Sequence, residues 1–174
     1  LATYQAGRDA RVGFVVADRV VDLEAVARRR RVRVPRQMLD VITDVPAATL
    51  RALARDAEQW VADGRPAAPL REIRLLAPIP RPRKNIVCVG RNYAEHAREG
   101  GVAPPEVPVF FTKPPTAVVG PGAGVVAHPV TQHLDYEVEL AVVLGRRGRN
   151  IPAARALDYV FGYTILNDVT ARDL

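Results

Sequence analysis

The sequence predicts an α+β fold that is mainly β, and three features carry that expectation. Residues 46–62 place Leu50, Leu53, Ala54, Ala57, Trp60 and Val61 at i, i+3 and i+4 spacing, the stripe of an amphipathic helix. From residue 85 onward the texture changes to short apolar runs punctuated by Gly and Pro. Strands and helices do not alternate regularly, which argues against a Rossmann fold or a TIM barrel.

Residues 1–24 read as short strands. Residues 12–16 are an apolar run, and residues 19–23 lead into a turn of helix. Two helical segments follow, residues 36–42 and residues 46–62. Pro46 falls in the first turn of the second, where a missing N–H costs nothing. Gly64, Pro66 and Pro69 end it, and Trp60 belongs to core packing. Prolines at 66, 69, 78, 80 and 82 mark a linker. The boundary is expected near residue 75, giving a small N-terminal domain over 1–75 and a second domain over 76–174.

In the second domain, residues 85–89 read as a strand. Residues 92–99 read as a short helix with Asn92 as N-cap, Glu95 three residues on and Gly100–Gly101 as the stop. Residues 107–112 are a strand, and Lys113-Pro-Pro and Gly120-Pro-Gly are turns. Residues 136–144 read as one long strand ending at Gly145, residues 153–159 as a short helix and residues 160–166 as a strand.

Composition narrows the function. Hydrophobic residues are 48% of the 174, enough for a globular core. No apolar run approaches the roughly 18 residues of a membrane span. Residues 1–30 carry Arg and Asp throughout, unlike a signal peptide. The single cysteine, Cys88, leaves no internal disulfide, which fits a reducing cytoplasm, and it reads as a buried strand residue. The net charge of +6 is uneven: residues 1–85 hold 17 basic and 10 acidic groups, residues 86–174 hold 8 and 9. The densest basic run is Arg28, Arg29, Arg30 and Arg31, followed by Arg33 and Arg36. A nucleic-acid patch can look like this, but aromatic content is 6% and no binding motif accompanies it. The run reads as an Arg-rich helix end and loop.

The chemistry concentrates in Asp135-Tyr-Glu137-Val-Glu139. Residues two apart on a strand share a face, so the three carboxylates point one way. Tyr136, Val138, Leu140, Val142 and Leu144 then form the other face, expected to be core. Carboxylates abreast repel; where partly buried they need a cation or a retained proton. Hard oxygen ligands suit Mg²⁺, Mn²⁺ or Ca²⁺. No Cys/His pair has zinc spacing. Asp168, at the end of the strand over 160–166, adds a further carboxylate. On the expected helix over 92–99, His96 and Glu99 are i, i+3 neighbours, and a carboxylate beside an imidazole raises its basicity. His128 and His133 sit near turns and have no assigned role.

These residues resemble the fumarylacetoacetate hydrolase family. The resemblance rests on four ordered motifs: Lys84-Asn-Ile-Val-Cys-Val-Gly-Arg-Asn-Tyr-Ala-Glu-His, Phe111-Thr-Lys-Pro-Pro-Thr-Ala-Val-Val-Gly, Asp135-Tyr-Glu-Val-Glu-Leu and Asn167-Asp-Val-Thr-Ala-Arg-Asp. It implies a mixed β-roll catalytic domain, a homodimer, and Mg²⁺ or Mn²⁺ in the site. It implies metal-ligand roles for Glu137, Glu139 and Asp168, a His–Glu pair for water activation in His96 and Glu99, and substrate-facing roles for Lys113 and Arg172. Asp135 is then a supporting neighbour. The family domain continues past the last motif, so the chain to Leu174 is expected to be an incomplete catalytic domain, inactive alone.

The implied activity is metal-dependent hydrolysis of a C–C bond in a 1,3-dicarbonyl or acylpyruvate-like acid, as in aromatic-compound catabolism. The metal polarises a carbonyl and stabilises the departing enolate, and His96 deprotonates water. The runner-up keeps the site and changes the reaction to tautomerisation, isomerisation or decarboxylation of a 2-hydroxy-dienedioate or oxaloacetate-like acid.

Overall fold

The computed structural model describes residues 1–90, 92–93 and 105–174. The expected helix over 92–99, with His96 and Glu99, lies outside the described residues apart from Asn92 and Tyr93, which are not helical.

The chain opens with β1 (Ala2–Ala6), β2 (Asp9–Val16) and β3 (Arg19–Asp22), each antiparallel to the one before. Asp22 ends β3 and caps α1 (Leu23–Arg29), its carboxylate accepting from the Ala25 N–H at 2.9 Å. α2 (Met38–Asp44) and α3 (Ala47–Ala62) follow. Pro46 is the N-cap of α3, one residue before its first turn. α3 ends in a Schellman motif: Gly64, at φ +67°, donates to the Val61 carbonyl at 3.0 Å and Arg65 donates to Trp60 at 3.1 Å. Only glycine takes that left-handed conformation without strain.

The helices bury one stripe against one face of the sheet. Phe14, Val21, Leu23, Val26, Val41, Leu53 and Ala57 form the centre of this core, and burying each larger side chain contributes about 1.5–3 kcal/mol. Trp60 packs at its edge, with the Arg29 and Arg65 guanidinium groups 5.9 and 5.4 Å from its ring centre. The arginine run is tied down locally: Arg28 and Arg36 reach Glu24 at 2.7 and 3.5 Å, and Arg30 pairs with Asp56.

β4 (Ala68–Pro69) pairs with β3, and the chain then runs along β1. Gln5 donates to Arg74 at 2.9 Å, Leu76 to Thr3 at 2.9 Å, and the Thr3 hydroxyl to Pro78 at 2.6 Å. The proline-rich segment is therefore hydrogen-bonded to the first strand on both sides of residue 75. Gly120 comes so close to it that a Cβ there would lie 2.8 Å from the Ala77 nitrogen.

The second half is built of antiparallel pairs. β5 (Ile86–Gly90) pairs with β6 (Val109–Lys113), β7 (Leu134–Asp135) with β10 (Thr170–Ala171), and β8 (Val138–Leu144) with β9 (Val160–Asn167). Residues 115–117 and 153–159 are 3₁₀ turns. No helix among the described residues is long and apolar enough to cross a membrane.

Two expectations for residues 136–144 change. The strand is one, β8, but it begins two residues later than expected: Tyr136 and Glu137 lie outside it, between the end of β7 at Asp135 and the start of β8 at Val138. The apolar face is also open, not core: Tyr136, Val138, Leu140, Val142 and Leu144 are 51–73% exposed, and Tyr163 and Ile165 of β9 are exposed beside them. The half-buried side is the one carrying Glu139, Ala141 and Val143, and Val143 packs against the main core. Alternation correctly separates the two faces of a strand, but it does not say which face the rest of the chain covers.

Candidate metal centre

The site forms where two ladders break at the same level. Val138 pairs with Asn167 in β8–β9, and Asp135 pairs with Thr170 in β7–β10. Between these pairs, Tyr136 and Glu137 stand opposite Asp168 and Val169, outside both ladders. The break is stitched by other bonds. The Asp168 N–H donates to the Glu137 carbonyl at 2.8 Å, and the Glu137 N–H donates to the Asn167 side-chain oxygen at 3.0 Å. The backbone groups thus keep partners while the Glu137 and Asp168 side chains are released from strand alternation.

Glu137, Glu139 and Asp168 converge there, with one carboxylate oxygen from each within 4.8 Å of the others. Asp168 is buried, its side chain 5% exposed, and that of Glu137 is 16% exposed. Lys113, the last residue of β6, sets its ammonium 2.7 Å from Asp168 Oδ1. Arg172 follows β10 directly. Its Nη1 lies 2.6 Å from Glu137 Oε1 and its Nε 3.1 Å from Asp135 Oδ2. The bond to Asp135, then the charge of Glu137, holds the Arg172 guanidinium above its ordinary value. Asp135 takes the Tyr136 N–H on its other oxygen at 2.9 Å and is not among the three clustered carboxylates.

Asp168 Oδ2 is the informative atom. It is buried and has no hydrogen-bond partner among the described residues. A buried carboxylate oxygen left without a partner is costly, and a cation touching Oδ2, Glu137 and Glu139 removes that cost. Three hard oxygen donors suit Mg²⁺, Mn²⁺ or Ca²⁺, so the residues present fit a divalent ion.

The structure brings together five residues the sequence singled out: Glu137, Glu139, Asp168, Lys113 and Arg172. His96 and Glu99 lie outside the described residues. Three neighbours were not legible in the sequence. The Asn167 amide clamps Glu137. The Tyr93 hydroxyl accepts from the Leu140 N–H at 3.2 Å. Cys88 is buried on β5, as expected, and its thiol feels the charge of the acidic cluster. Burial pushes its thiol up, Asp168 and Glu139 add to the rise, and Lys113 opposes it.

An all-carboxylate cluster at a ladder break, flanked by a lysine and an arginine, defines a candidate divalent-metal centre. Residues 85–174 match the family described as fumarylacetoacetate (FAA) hydrolase, C-terminal. The chain belongs to that family. It is 41% identical over 174 residues to oxaloacetate tautomerase YisK of Bacillus subtilis, covering 94% of this chain and 57% of that protein. The structure of a fumarylacetoacetate hydrolase from Exiguobacterium antarcticum aligns at TM-score 0.73 and 35% identity, covering 99% of this chain and 56% of that one. Maleylpyruvate hydrolase from Sphingobium sp. SYK-6, solved with manganese(II) and pyruvate, aligns at TM-score 0.70 and 28% identity, covering 100% and 60%. The chain therefore spans a little over half the length of these relatives, and it shares their fold over that span.

Proposed function

We propose that this protein is a divalent-metal-dependent enzyme acting on a small 2-oxo acid, and that its reaction is keto–enol tautomerisation of an oxaloacetate-like dicarboxylate. The metal requirement rests on buried Asp168 Oδ2 beside Glu137 and Glu139. The choice of reaction rests on the likeness to an oxaloacetate tautomerase across 94% of the chain.

Glu137, Glu139 and Asp168 would hold Mg²⁺ or Mn²⁺. When bound, the ion supplies Lewis-acid polarisation of the substrate carbonyl. Arg172, oriented by Asp135 and Glu137, would meet a substrate carboxylate through charge-assisted hydrogen bonds. His96, with Glu99 beside it in sequence, would carry the proton between the enol oxygen and C3. No water attacks and no carbon–carbon bond breaks in this reaction.

Hydrolysis of an acylpyruvate-like acid is the second reading, favoured by the likeness to a maleylpyruvate hydrolase. There His96 would take its proton from the attacking water.

The test follows the loss of enol absorbance of oxaloacetate with and without the full-length protein. Acceleration is expected, lost on exhaustive chelation and regained with Mn²⁺. Acceleration that survives chelation would remove the metal from the account. Cleavage of an acylpyruvate into two acids, without enol acceleration, would select hydrolysis.

A further inference from the structure

We infer that Lys113 is the built-in counter-ion of the metal centre: its ammonium takes Asp168 Oδ1, dedicates Oδ2 to the ion, and by its charge keeps ion binding moderate. The inference rests on the divalent-metal reading above. It gives Lys113 a different task from the substrate contact that the family resemblance implies.

The position of Lys113 is set by backbone pairing. It stands opposite Ile86 at the end of the β5–β6 ladder, and its ammonium also lies 5.9 Å from the centre of the Phe111 ring. From there it reaches a single oxygen of Asp168, at 2.7 Å, and the other oxygen stays buried without a hydrogen-bond partner among the described residues. A carboxylate gripped on one oxygen by a charged donor cannot turn freely. The ungripped oxygen is then the one offered to the cluster, and Asp168 binds an ion through Oδ2 alone.

Lys113 thus has two effects of opposite use. In the metal-free protein it neutralises a nearly fully buried aspartate, which would otherwise be an uncompensated buried charge. In the metal-bound protein it stands one carboxylate away from a dication and repels it. Removing the ammonium should harm the metal-free state and tighten ion binding together. A residue important only for folding would weaken both states and bind the ion less well.

The experiment compares the parent with Lys113→Met, Lys113→Gln and Lys113→Arg. Mn²⁺ affinity is read by calorimetry or by Mn²⁺ electron paramagnetic resonance, and thermal unfolding is followed without metal and at saturating Mn²⁺. Lys113→Met and Lys113→Gln should unfold at lower temperature than the parent without metal and regain the parent's midpoint with Mn²⁺. They should bind Mn²⁺ at least tenfold more tightly. Lys113→Arg should restore the parent's behaviour in both readouts. Folding of Lys113→Met only in the presence of Mn²⁺ supports the same conclusion, and Lys113→Gln then supplies the affinity. Equal or weaker Mn²⁺ binding by the neutral variants overturns the inference while leaving the metal reading intact. A parent that binds no Mn²⁺ overturns both, which tells the two failures apart.

Discussion

Replacing Asp168 by Ala should lower turnover by roughly 10³-fold or more and remove measurable Mn²⁺ binding, because Lewis-acid stabilisation is worth several kcal/mol. The loss is larger than for an exposed carboxylate. Asp168 is the buried member of the cluster, and its Oδ2 has no other hydrogen-bond partner among the described residues. Glu137→Ala and Glu139→Ala should behave alike. Asp135→Asn should weaken binding far less, since Asp135 acts through Arg172. Turnover and Mn²⁺ titrations on the four variants check the ranking. An Asp168→Ala protein with the parent's Mn²⁺ affinity would show that the ion, if bound, sits elsewhere.

The second large effect concerns His96. His96→Ala should lower turnover by roughly 10² to 10⁴, the usual share of acid–base catalysis, and leave Mn²⁺ affinity nearly unchanged. The separation matters because ligand loss and proton-carrier loss both abolish activity, yet only the first abolishes ion binding. Unchanged turnover in His96→Ala would take the proton from His96 in both proposed reactions.

Some of this was legible in the sequence for identifiable reasons. The stripe from Leu50 to Val61 predicted α3 within a residue or two, because helical periodicity is a local signal. The clustering of Glu137 and Glu139 followed from strand spacing, and Asp168 was joined to them by the family motif. The break at Tyr136–Glu137 was not visible. A strand interruption depends on what stands opposite, here Asp168 and Val169, some thirty residues on in sequence. The inversion of the two faces of β8 was hidden for the same reason: covering a face is a long-range event. The contact of Lys113 with Asp168 likewise joins two motifs that no spacing rule connects.

Everything proposed for this site depends on a divalent ion held by Glu137, Glu139 and Asp168. Anomalous scattering from crystals of the protein grown in Mn²⁺ tests it most directly. One strong anomalous peak per chain is expected within ligand distance of Glu137, Glu139 and Asp168 Oδ2, with Lys113 still on Asp168 Oδ1. Saturating Mn²⁺ with no peak between these carboxylates, or a peak bound by other residues, would contradict it.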